Sequence, residues 1–120
     1  MKQGKVWGHT ELIFKNENCE VHRIEIKPNS HCSKHKHSYK HNIFFVEKGI
    51  LNIKVWKNDY DLIDTTKLSS GDRMDVAPNE FHQFETKDDY TIAFEIYYSE
   101  PISGDIVREN CGGGNEVPSL

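Results

Sequence analysis

From Cys19 onward the chain is written in short β-branched and aromatic runs, each cut off by a turn signal. Val21–Lys27, Asn42–Glu47, Ile50–Trp56, Leu62–Thr66, Arg73–Ala77, Phe81–Glu85 and Tyr90–Tyr98 are the runs. Lys27-Pro28-Asn29-Ser30, Lys48-Gly49, Lys57-Asn58-Asp59, Ser69-Ser70-Gly71-Asp72, Pro78-Asn79-Glu80 and Lys87-Asp88-Asp89 separate them. Such residues favour extended backbone, and Gly, Pro, Asn and Asp end it. Lys48-Gly49 reads as a hairpin-like break. No segment holds the i, i+3, i+4, i+7 stripe of an amphipathic helix. The expectation is an all-β sandwich or barrel.

At 120 residues the chain has room for one core. A domain of that length buries roughly two-thirds of its unfolded surface and needs no staples. The boundaries expected are one domain over residues 1–110 and a flexible tail over 111–120, which opens on Cys111-Gly112-Gly113-Gly114. The longest apolar run, Ile43–Val46, is far too short for a membrane span or a signal-peptide core. A formal charge of −4 without a basic block argues against nucleic acid as a partner. Cys19, Cys32 and Cys111 form no C-x-x-C pair, which fits a reducing, cytoplasm-like compartment better than a disulfide framework.

Histidine is the abnormal residue. The chain has seven, and His31, His35, His37 and His41 fall close together. Residues two apart on a strand share a face, so His35 and His37 there form a chelating pair. Neutral imidazole nitrogens suit Mn, Fe, Zn, Ni or Cu. His41 follows at the start of the next run, and His82 opens another. Imidazoles from neighbouring strands can converge inside a small barrel with space for one metal and a small ligand. Set against this, Lys34, Lys36 and Lys40 alternate with the histidines, as in an exposed basic loop. His31 shares parity with His35 and His37 and can line the same cavity or lie on the surface. His9 and His22 read as structural.

The sequence resembles the cupins, whose first motif is H-x-H, three or four residues, Glu, six residues and Gly. Here it reads from His35 and His37 to Gly49. The second cupin motif, G-x(5)-P-x-G-x(2)-H, matches Gly71 to His82, with Pro78 one place late and Asn79 in place of the turn glycine. Asn tolerates the left-handed backbone that such a turn requires. The resemblance implies a double-stranded β-helix, the cupin jelly-roll barrel. It implies a divalent transition metal held by His35, His37 and His82. The glutamate is missing. Counting forward from His37 puts His41 in its place, and counting back from Gly49 puts Asn42 there, so a bulge is expected in this stretch. The set favoured is His35, His37, His41 and His82, with Asn42 as the alternative. Four neutral ligands leave the full charge on the metal, which favours an anionic substrate oxygen.

The flanks are similar to type II mannose-6-phosphate isomerase cupin domains. Lys5-Val6-Trp7-Gly8-His9-Thr10-Glu11 resembles their R-P-W-G-x-x-E, Cys19–Pro28 resembles their Y-x-V-K-R-I-x-V-K-P strand, and Gly104–Arg108 resembles their E-D-D-I-V-R close. Their S-L-Q-x-H-x-H stretch carries a glutamine where this chain has Ser33. Their R-x-E-H-W segment becomes Ser38–Asn42. Proton transfer between adjacent carbons needs a placed acid or base. Glu25, Glu95, Tyr39 and Tyr97 are the candidates, and no spacing separates them. Arg23 and Arg108 are candidates to meet a phosphate or carboxylate.

The function expected is metal-dependent action on a sugar or sugar phosphate, isomerase- or epimerase-like. An oxygen-using cupin and a non-enzymatic metal- or ligand-binding module are the alternatives. The resemblance also implies a homodimer, and Trp7, Ile13 and Phe14 supply an apolar edge that wants cover.

Overall fold

The computed structural model describes residues 2–57, 62–99 and 114. Among these residues there are nine strands, β1 (Lys2–Lys5), β2 (Gly8–Lys15), β3 (Cys19–Ile26), β4 (His41–Lys48), β5 (Ile50–Lys57), β6 (Leu62–Ser69), β7 (Arg73–Val76), β8 (Phe81–Glu85) and β9 (Thr91–Tyr98). Among the described residues there is no helix, and none long and apolar enough to cross a membrane. The domain limit expected at residue 110, Arg108, the Asn58-Asp59 turn and, Gly114 aside, the tail from residue 111 lie outside the described residues.

Six strands form one antiparallel sheet in the order β1-β2-β3-β9-β4-β7, and three form another in the order β6-β5-β8. The inner faces supply the core: Ile24 and Ile26 from β3, Phe44 and Val46 from β4, Leu51, Ile53 and Val55 from β5, and Phe84 from β8, all at most 2% exposed. Each such aliphatic or aromatic side chain contributes roughly 1.5–3 kcal/mol by leaving water. The jelly roll expected from the sequence is the architecture found.

Lys48-Gly49 does not close a hairpin. β4 pairs with β7 and β9, whereas β5 pairs with β6 and β8. Gly49 is the corner where the chain leaves one sheet for the other. Its φ is 89°, and a Cβ there would lie 2.6 Å from the Tyr90 carbonyl oxygen. Only glycine combines that backbone with that approach.

The bulge within β4 lies at Glu47, where pairing to β9 skips between Val46 and Lys48. The extra residue between His37 and Gly49 is absorbed before β4, in the bend at residues 38–39. This bend decides which side chain at the start of β4 faces inward.

Candidate metal centre

His35 and His37 lie on an extended segment just before β4, outside any named strand. Residues 31–35 run along β8 through isolated antiparallel bridges, His31 with Glu85 and His35 with His82. The His35 and His82 backbones exchange N–H···O bonds of 3.1 and 2.8 Å. Asn79 donates its N–H to the His37 carbonyl at 2.7 Å. Asn79 takes the left-handed conformation, φ 67°, that its place in the turn suggested. The Pro78-Asn79 turn thus sets His37 directly and launches the strand that carries His82.

The three imidazoles converge. Ring centroids are 4.6 Å apart for His35–His82, 5.1 Å for His35–His37 and 5.5 Å for His37–His82. One ligand nitrogen from each lies within 4.8 Å of the others. Two rings are oriented by the backbone. His35 Nδ1 donates to the Ser33 carbonyl at 2.8 Å, and His82 Nδ1 donates to the Glu80 carbonyl at 3.0 Å. Each bond fixes the tautomer that leaves Nε2 unprotonated, as metal-binding histidines require. His37 Nε2 is buried with no hydrogen-bond partner. Burial, then the charges of Lys40, His35 and His82, hold the His37 pKa down to about 4, and burial lowers that of His82. Three converging imidazole nitrogens, that of His37 buried without a partner, are a donor set suited to a divalent transition metal.

His41 is not brought to this group. It stacks on Tyr98 with the ring planes 9° apart, and its Nδ1 lies 3.6 Å from Asp75. Pairing opposite Tyr98 puts His41 on the outer face of the sheet. Asn42, one residue on, is fully buried and faces the histidines. Its Nδ2 is 3.4 Å from His82 Nε2 and 3.2 Å from Glu95 Oε2, and its Oδ1 has no partner. The geometry therefore follows the count from Gly49.

Of the four acid–base candidates, the fold brings Glu95 and Tyr97 to the site. Tyr97 donates to Glu95 Oε2 at 2.8 Å, and its ring lies edge-on to His37 at 5.2 Å. Burial and the Glu95 carboxylate push the Tyr97 hydroxyl well above the usual phenol range, so it remains a proton donor. Tyr39 is 87% exposed, and Glu25 is taken up by Arg23 and in contact with His9. Arg23 also approaches Glu47, at 3.6 Å. In the sequence no spacing separates Glu95 from the other candidates, and the larger apolar residues of its strand are Ile92, Phe94 and Ile96. Those apolar residues face outward, and Thr91, Ala93, Glu95 and Tyr97 face in. The clue available was register with Asn42, whose neighbour across the strands is Tyr97.

A cleft of about 610 Å³ opens beside the centre, and His31, His35, Glu95 and Tyr97 are among its lining residues. Cys32 also lines it. Burial pushes its thiol up to about 12, so it behaves as a packing group rather than a nucleophile. His22 lines it too, held by Glu20 at 2.9 Å, and His9 is a half-buried neighbour of Glu25.

No family model matches the chain, and no curated protein matches it. Solved structures do. KdgF from Halomonas sp. superposes with a TM-score of 0.71 at 11% identity, over 84% of this chain and 87% of that one. The cupin domain of a Schizosaccharomyces pombe protein gives 0.71 at 10% identity, over 83% and 69%. The capsular polysaccharide assembling protein CapF from Staphylococcus aureus gives 0.73 at 18% identity, over 88% of this chain and 32% of CapF. The chain thus spans about a third of CapF. At these identities the likeness is one of fold, and the fold is the cupin jelly roll.

Proposed function

We propose that this chain binds a divalent transition metal through His35, His37 and His82 and acts on a sugar or sugar phosphate in the manner of an isomerase or epimerase. The observation that carries the reading is the convergence of three imidazoles with the Asn42–Glu95–Tyr97 network beside a cleft that His35, Glu95 and Tyr97 line. A metal bound there supplies Lewis acidity toward a substrate carbonyl. The chain supplies the remaining chemistry. Glu95, at 8% exposure, offers a carboxylate for taking and returning a proton next to that carbonyl. Tyr97 and Asn42 fix it by donating to Oε2. Tyr97, held protonated, can donate to a developing alkoxide. The flanking motifs shared with type II mannose-6-phosphate isomerase cupin domains support a sugar as substrate. So does the likeness in fold to CapF, a capsular polysaccharide assembling protein.

The test is proton exchange. Protein loaded with manganese is incubated with mannose 6-phosphate and other aldoses in deuterated water. Deuterium is expected at the carbon beside the carbonyl in wild type and not in Glu95→Gln, with manganese content equal in both. Absence of exchange across the panel refutes the enzymatic reading.

A further inference from the structure

The cleft has a second end that the metal centre does not use. It is built by the link between β1 and β2, where Lys5, Val6 and Trp7 line the same cavity as His35, Glu95 and Tyr97. This link is fixed in place. The Trp7 carbonyl accepts the Lys27 N–H at 2.8 Å, and the Trp7 ring stands edge-on against Phe84 with centroids 5.0 Å apart. Gly8 follows with φ 154°, and a Cβ there would collide with the Glu25 carbonyl, so the chain passes this point only with glycine. Trp7 is therefore a half-buried aromatic wall on a rigid support.

Charge distinguishes the two ends. Lys5 is the one lysine or arginine among the described residues that line the cleft, and Gln3 lies beside it. The lining carboxylate, Glu95, already accepts from Asn42 and Tyr97. Arg23 is committed to Glu25 and Glu47, Lys40 lies over the Tyr97 ring at 4.1 Å, and Lys2 lines an adjoining cavity with Gln3, Thr10 and His22. A cavity of this volume suits a ligand of monosaccharide size. Aromatic walls take the apolar face of such a ring, and an ammonium takes an anion.

We infer that Lys5 and Trp7 form the specificity end of the site: Trp7 packs on the ring of an anionic sugar, and Lys5 takes its phosphate or carboxylate while the carbonyl end lies at His35 and Glu95. This inference rests on the sugar-directed reading above. It assigns to Lys5 the anion contact that Arg23, turned to the outer face, does not make.

The test is binding, independent of turnover. Mannose 6-phosphate, glucuronate and neutral mannose are titrated into wild type, Lys5→Gln and Lys2→Gln, with the Trp7 indole N–H followed by NMR. At least one anionic sugar is expected to bind wild type and Lys2→Gln equally, to shift the Trp7 resonance, and to weaken about tenfold in Lys5→Gln, with mannose unaffected. Which anionic sugar does so separates phosphate from carboxylate. Anionic sugars that bind Lys5→Gln as they bind wild type, that leave Trp7 unmoved, or that do not bind at all overturn the inference. Manganese content is measured in parallel. Uptake without a Lys5 effect removes this inference alone, and a Lys5 effect without uptake removes the metal reading alone.

Discussion

The Asn42 side-chain nitrogen sits 3.4 Å from His82 Nε2, on the nitrogen that a metal would take. A neutral, fully buried amide thus stands beside the converging imidazoles. It faces Glu95 on its other side, at 3.2 Å. Asn42→Asp would set two carboxylates against each other in a buried site. Without metal this variant is expected to lose roughly 3–5 kcal/mol, the cost of an uncompensated buried charge. Saturating manganese should restore most of that loss. Thermal melts with and without the ion check it, and an apo protein as stable as wild type would show that Asn42 and Glu95 do not share this pocket.

Three imidazoles converge, those of His35, His37 and His82, without His41. His35→Ala and His82→Ala should each weaken manganese or zinc uptake by at least about a hundredfold, since even indirect partners of a metal are worth ten- to a hundredfold. His41→Ala should bind as wild type does, because its ring stacks on Tyr98. Elemental analysis of dialysed protein reads the result. Equal loss in His41→Ala would return that residue to the site.

The metal-free fold should weaken in mild acid. His37 is held neutral down to about 4, whereas an imidazole in the unfolded chain titrates near 6.5. Between these values the unfolded chain binds the extra proton, so stability is full above about 6.5 and falls as the pH drops toward about 4. His82 is shifted in the same direction and adds to the loss. Below about 4 the His37 contribution levels off, because folded and unfolded forms are both protonated there. Urea midpoints of apo protein across this range measure it, and His37→Gln should flatten the slope. A midpoint indifferent to pH would contradict the burial of these rings.

Gly49 and Gly71 share a left-handed backbone, φ 89° and 90°, and differ in their surroundings. Gly71→Ala meets no atom within 4 Å and should cost only the backbone strain, about 1 kcal/mol. Gly49→Ala drives its methyl group into the Tyr90 carbonyl and Thr91 and should cost more, roughly 2–4 kcal/mol. Denaturant titration of the pair separates strain from collision. Equal losses would mean that the corner between the sheets has room to move.

Much of the architecture was written locally. The alternation of β-branched residues with Gly, Pro, Asn and Asp marks seven of the nine strands, because strand and turn preferences act over a few residues. The pairing of His35 with His37 was legible in their two-residue spacing, which puts both on one side of an extended segment, and His82 was joined to them by the resemblance to the cupin motifs. The left-handed turn at Asn79 was legible in the choice of Asn.

Pairing decided the rest. Whether His41 or Asn42 faces inward depends on where the extra residue between His37 and Gly49 is absorbed, and a shift of one residue moves a side chain to the opposite face of the sheet. Local sequence carries no record of that choice; the register of β4 against β9 does. The same register brings Glu95 and Tyr97 to the histidines from far along the chain and turns the larger apolar residues of β9 outward. The path from β4 to β5 across two sheets, rather than back along one, is likewise set by which strands find partners.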